Sequence, residues 1–149
     1  MLKVCAWSLN QVGDKLRTQV KRQTAKQLGI PYSKTEASWK IDRANPGRLE
    51  YKITGTGKTY GLEQFGARQF SYGVRARPWG RAQKFAHAFM RKALVYVRTT
   101  AEQYPLHRMW GGSVPREMER DSVPYVAAQG MDKELPDVID KKLTQFMPF

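Results

Sequence analysis

Four groups of residues in this chain have types and spacings that suggest chemistry. The first is Gly55-Thr56-Gly57-Lys58-Thr59, which ends in the Gly-Lys-Thr of a phosphate-binding loop. Such a loop needs another glycine five positions before Gly57 and a helix after it, so that backbone N–H groups converge on phosphate. Lys52 holds that position within a strand-like run, so the segment reads as a hairpin turn. These glycines do not fit a dinucleotide-binding turn either, because Tyr60 stands where the third glycine belongs. The second group is Cys5, His87 and His107, a thiol and two bases. Cys5 falls on the apolar stripe of a helical pattern, where a small buried residue is expected. The three stand apart, without metal-ligand spacing. The third group, Glu117, Glu119 and Asp121, reads as a solvated helix face that complements the positive end of its helix. No catalytic residue, metal ligand or cofactor site is expected, and the chain does not read as an enzyme.

The fourth group carries the strongest signal. Arg68, Arg75, Arg77, Arg81 and Lys84 are interleaved with Phe70, Tyr72, Trp79 and Phe85. Arginines neutralise phosphates and aromatic rings offer stacking faces for bases. The same residue types are enriched at protein interfaces. Two partners therefore stay open: nucleic acid, or the acidic face of a neighbouring subunit. No signature of a sequence-specific nucleic-acid module is present.

The charge distribution sharpens this reading. The chain has 149 residues and a formal charge of +13. From Glu63 to Glu102 the bases run from Arg68 to Arg98 without an intervening acid, whereas the last third mixes both signs. Such polarity implies an acidic partner. The length suits a single domain, residues 1–149, with its own core. Cys5 is the one cysteine, so an internal disulfide is excluded and packing must hold the fold. No apolar run approaches the ~20 residues of a membrane span, and no signal peptide is expected.

Several elements must position these residues. Leu2, Cys5, Leu9, Val12, Leu16 and Val20 recur at three- and four-residue intervals, with Leu28 in phase, which predicts a long helix stopped by Gly29. Ser33-Lys34-Thr35-Glu36 has the pattern of a capping box at the start of a short helix running toward Trp39. Arg48 to Thr54 alternates as a half-buried strand after the Asn45-Pro46-Gly47 turn. A second strand is read from Gln69 to Ala76, with Phe70, Tyr72, Val74 and Ala76 on one side, ended by Pro78-Trp79-Gly80. The segment at about 55–84 is Gly- and aromatic-rich, basic and extended. Ala93 to Val97 predicts a central strand with Arg98 at its edge. Tyr104-Pro105-Leu106-His107-Arg108-Met109-Trp110-Gly111-Gly112-Ser113-Val114-Pro115 specifies a fixed path, with Ser113 and Pro115 forming a helix entrance. It serves either as a loop that starts a helix or as a subunit contact through Leu106, Met109, Trp110 and Val114. A helix follows from Val114 to about Arg120, with Met118 inward. A last one runs from about Asp132, with Leu135, Val138, Ile139, Leu143 and Phe146 on one face and Pro136 in its first turn. Together these predict an α+β domain, with a small, largely antiparallel sheet packed against a long N-terminal helix and C-terminal helices.

Taken in order, the landmarks resemble the bacteriophage minor tail protein Z family, the tail-completion proteins of long-tailed phages. They are Leu9-Asn10-Gln11-Val12 in a basic helix, Leu62-Glu63-Gln64-Phe65-Gly66-Ala67-Arg68, and Gly-Val-Arg-Ala-Arg-Pro-Trp-Gly at 73–80. His87-Ala88-Phe89-Met90, Val95-Tyr96-Val97-Arg98, Tyr104-Pro105-Leu106, Ser113-Val114-Pro115 and a closing amphipathic helix continue the series, so the resemblance spans nearly the whole chain. The family has Gly-Ala-Phe where this chain has His87-Ala88-Phe89. The resemblance implies a virion protein near the head-proximal end of the tail, found in the host cytoplasm during assembly and tied to head–tail joining and DNA passage. It further implies a homo-oligomer, a hexameric ring, in contact with tail, terminator or neck proteins, and it offers no catalytic residues. In such a ring, Arg68, Arg75, Arg77, Arg81 and Lys84 would face genomic DNA or an acidic neighbour. A basic, sequence-independent nucleic-acid-binding protein acting outside the virion is the alternative.

Overall fold

In a computed structural model, which describes residues 2–120 and 122–146, helix α1 (Leu2–Leu28) buries Val12, Leu16, Val20 and Leu28 along one stripe. Gly29 stops it in the left-handed region, φ 81°, with its N–H donating to the Ala25 carbonyl at 2.9 Å. Cys5, expected in the core, is only half-buried. Helix α2 (Tyr32–Thr35) lacks the expected capping box. Glu36 instead accepts from the buried Lys21 Nζ at 2.7 Å, an ionic bond that outcompetes a local cap.

The hairpin of β1 (Trp39–Asp42) and β2 (Lys52–Gly55) is antiparallel, with Ile41 opposite Ile53. Only the second half of the strand expected from Arg48 to Thr54 forms, and Leu49 is exposed. Asn45 explains the early turn: its Oδ1 accepts from the N–H groups of Gly47 and Arg48 at 3.0 and 2.8 Å. Residues 55–59 are therefore not a hairpin turn. They lead out of β2 toward a 3-10 turn at Leu62–Phe65. Side chains hold the hairpin along α1, where Asn10 exchanges two hydrogen bonds with the Ala44 backbone at 2.8 and 2.9 Å.

The predicted second strand is two strands, β3 (Arg68–Phe70) and β4 (Gly73–Ala76), joined through Ser71 and Tyr72. Gly73, at φ 141°, permits the reversal, since a Cβ there would sit against the Phe85 carbonyl. Strand β5 (Gln83–Ala86) pairs with the other edge of β4, giving the antiparallel order β3-β4-β5. A second three-stranded antiparallel sheet comprises β6 (Ala88–Arg91), β7 (Leu94–Arg98) and β8 (Leu106–Arg108). As expected, β7 is central and Arg98 ends it. The inner faces of both sheets feed one core, with Val74 and Ala76 from one and Ala88 and Val95 from the other. Leu62 and Phe65, the end of α1 through Leu28 and Ile30, and Val114 close it.

Helix α3 (Val114–Met118) starts after Ser113, which makes no side-chain cap, and Met118 packs inward. Helix α4 (Ser122–Phe146) starts earlier than expected, with Pro124 in its first turn and Pro136 inside. Pro136 lies on the exposed side, where the carbonyl that it frees is open to solvent. The helix runs antiparallel to α1, with Lys15 reaching Glu134 at 3.0 Å and Lys142 lying 4.0 Å over the Trp7 ring. The fold is α+β, with three small antiparallel sheets. None of the described helices is long and apolar enough to cross a membrane.

Candidate polyanion-binding face

Strand register turns the basic segment into a surface. Arg68 pairs with Arg75 across β3 and β4, and Arg75 pairs with Lys84 across β4 and β5. Residues in register share a face, so three cations stand in a row across the sheet. The row is on the outer face, since the alternate residues Val74 and Ala76 are buried. Arg77, two residues beyond Arg75, extends it. Arg68, Arg75 and Arg77 line a recess of about 340 Å³ with Gly66 and Phe70.

None of these four cations has an acidic partner among the described residues. Like charges directly opposite in a sheet cost roughly 0.2–1 kcal/mol per pair, so the row weakens its own sheet. An external anion would offset that repulsion. Beside it, Phe70 and Tyr72 stack at 5.4 Å with their planes 4° apart, and the Lys84 ammonium sits 5.4 Å from the Tyr72 ring centroid. Both rings are exposed, and together with the cations they form a flat, positively charged and partly aromatic surface. Exposed phosphates fit such a surface without base-specific contacts.

Arg81 does not belong to this row, contrary to the expectation from sequence. It shares its side of the chain with Gln83, the opposite parity from Lys84, and lines a separate cleft with Lys26, Trp79, Glu117 and Arg120. The four expected interface residues also divide. Val114 is fully buried in the core and offers nothing to another subunit, because the Ser113-Val114-Pro115 entrance points it inward. Met109 packs against the same core, and its N–H donates to the Val95 carbonyl at 2.9 Å. Leu106 is half-buried in β8. Trp110 alone among the four is largely exposed, at 53%, with the Arg108 guanidinium 4.3 Å from its ring centroid.

Cys5, His87 and His107 sit on α1, on the link between β5 and β6, and on β8, respectively. Among the described residues, no group of three or more His, Cys, Asp or Glu is placed to hold a metal ion. Glu117 is fully buried rather than part of a solvated face, Glu119 is exposed, and Asp121 lies outside the described residues. Sequence reasoning missed the role of Glu117, whose Oε1 accepts from the Trp79 indole N–H at 2.9 Å. Only its spacing within a short helix, one turn beyond the half-buried Ser113, hinted at an inward position. No family model, no curated protein and no solved structure matches this chain.

Proposed function

We propose that this chain is a structural virion protein of a long-tailed bacteriophage, a ring-forming tail-completion or neck subunit at the head-proximal end of the tail. In this reading it supports head–tail joining and DNA passage, acts in the virion after assembly in the host cytoplasm, and is no enzyme. The row of Arg68, Arg75 and Lys84, extended by Arg77 and free of acidic partners, carries the proposal. A conduit needs smooth attraction that does not grip particular bases, and unpaired cations on a flat sheet supply it. The ring, hexameric and built against tail, terminator or neck proteins, rests on the landmark resemblance.

Arg68→Ser, Arg75→Ser and Lys84→Ser combined should leave folding intact, because all three side chains are exposed. The variant should lose affinity for long double-stranded DNA uniformly across sequences. Its dependence of log affinity on log salt should become shallower by about 2 to 3, near 0.9 for each phosphate that is no longer neutralised. An unchanged salt slope would remove the DNA-facing role, and side-chain-level images of virion necks without this protein would remove the location.

The exposed Phe70 and Tyr72 stack favours a second reading, a sequence-independent nucleic-acid-binding protein acting outside the virion. Tight, steeply salt-dependent binding of single strands by the isolated monomer, with no ring at any concentration, would select it.

A further inference from the structure

A second group of cations lines a cleft where α1, α3 and the Pro78–Gly80 turn meet, away from the sheet row, and what it implies is independent of the tail-completion reading. A cleft of about 550 Å³ is lined there by Lys26, Gln27, Trp79, Arg81, Glu117 and Arg120, among others. The carboxylate of Glu117 is fully buried, and its oxygens are held by the Trp79 indole N–H at 2.9 Å and the Gln27 amide N–H at 3.2 Å. Those two bonds fix a ring and an amide in the wall. Trp79 also adopts φ 54°, a conformation uncommon for a bulky residue, yet its side chain remains 39% exposed. Strain at a presented aromatic residue points to use of the ring.

Two features define the ligand. Lys26, Arg81 and Arg120 place three exposed cations around one buried carboxylate, leaving a positive excess suited to a dianion. Only Arg120 approaches Glu117, at 3.9 Å. The Trp79 ring suits stacking by a planar group. The Gln27 amide nitrogen spends its hydrogens on Glu117 Oε2 and the Arg120 carbonyl, at 3.2 and 3.4 Å. Its Oε1 is closed off behind the wall, so Gln27 braces the cleft and does not contact its contents. A ligand carrying a phosphate monoester and a flat base satisfies both. We infer that this cleft binds a nucleoside monophosphate, either free or as the 5′-phosphorylated terminal nucleotide of a strand.

The test follows the Trp79 indole N–H by nuclear magnetic resonance on the intact chain, with its signal assigned through Trp79→Phe. AMP should shift that signal saturably, while adenosine and inorganic phosphate should each bind at least about tenfold more weakly. Arg81→Gln and Lys26→Gln should each weaken AMP about tenfold. Both keep the fold, since both side chains are exposed and the Arg81 backbone N–H, which the substitution retains, holds the Pro78 carbonyl. Lys133→Gln, an exposed charge change on α4, should leave AMP binding unaltered. A 5′-phosphorylated oligonucleotide that binds when its 5′-hydroxyl counterpart does not assigns the ligand to a strand end, and AMP binding without either assigns it to the free nucleotide. The absence of a saturable shift overturns the proposal. So does phosphate binding as tightly as AMP, or Lys133→Gln weakening AMP as much as Arg81→Gln does. Because the readout is Trp79, failure here leaves the test of the sheet row untouched.

Discussion

Tyr51 fastens the β1–β2 hairpin to α1. Its ring lies over Gly13 and its hydroxyl donates to Asp14 Oδ1 at 2.8 Å, while Arg43 reaches the same carboxylate at 2.9 Å. Burial, and then the hydrogen bond to Asp14, push the Tyr51 pKa up from 10.0 to about 12. The folded chain therefore keeps the phenol proton in a range where the unfolded chain has lost it. This contribution to stability is fully present below pH 10 and is lost as pH rises through about 12. Urea titrations should show a fall in stability over that window that is smaller in Tyr51→Phe, which should cost about 1 kcal/mol at neutral pH. Parallel pH profiles for the two proteins would mean that Tyr51 is not the titrating group. The turn between β6 and β7 stores strain of another kind. Lys92 and Ala93 have φ of 50° and 61°, as in a type I′ hairpin that favours Asn-Gly. Since a left-handed L-residue costs roughly 1–2 kcal/mol, Lys92→Asn with Ala93→Gly should raise stability by about 1–2 kcal/mol. An unmoved denaturation midpoint would show that the turn is relaxed in solution.

Helix α1 owes its position to Gly13, and competing magnitudes decide what a substitution there does. Alanine gains about 1 kcal/mol of helix propensity over glycine. However, a Cβ on Gly13 would stand 2.5 Å from the Tyr51 ring, and overpacking of this sort costs typically 1–3 kcal/mol. The hairpin must lift for the methyl to fit, so Gly13→Ala should be destabilising overall by up to about 2 kcal/mol in equilibrium unfolding. A stabilised variant would mean that the hairpin is not held against α1. The course of α1 is legible in sequence because a 3.6-residue period and Gly29 are local signals. The sheets are harder to read. Their strands are three to five residues long, and β3 and β4 fall within one continuous alternation whose reversal at Ser71-Tyr72 lacks turn residues until Gly73. Asn45 and Pro46 announce the β1–β2 turn, but its two flanks carry the local patterns of a helix and of an overlong strand. Prolines at 124 and 136 conceal the continuity of α4: the first is tolerated because it falls in the opening turn, the second because its side of the helix faces solvent. The cations of the candidate face are legible as a list, whereas their row depends on long-range register. Register separates Lys84 from Arg81, and no local pattern encodes it.

At the scale of the whole molecule, the cation row with its stacked rings and the exposed Trp110 occupy different places. The unpaired cations lie on the outer face of β3-β4-β5, while Trp110 protrudes beyond β8, its backbone bridged to Gly61. This division suits the proposed ring subunit, with one surface for a polyanion and another for its neighbour. Trp110 is the sharpest test of the second surface. Within the subunit it is 53% exposed, and its main partner is the Arg108 guanidinium, which is also bonded to Glu63. An exposed cation–π contact is worth about 0.5–1 kcal/mol, so Trp110→Ala should lower subunit stability by no more than about 1 kcal/mol. A tryptophan anchoring an interface typically costs about 2 kcal/mol or more on truncation, about thirtyfold in association. Sedimentation across a concentration series should therefore show the proposed self-association displaced to much higher concentration in Trp110→Ala, while the urea midpoint barely moves. If assembly is unchanged, the proposed subunit contact does not run through Trp110, which then only shields the edge between Gly61 and β8. If stability falls as far as association does, Trp110 is a packing residue of the subunit.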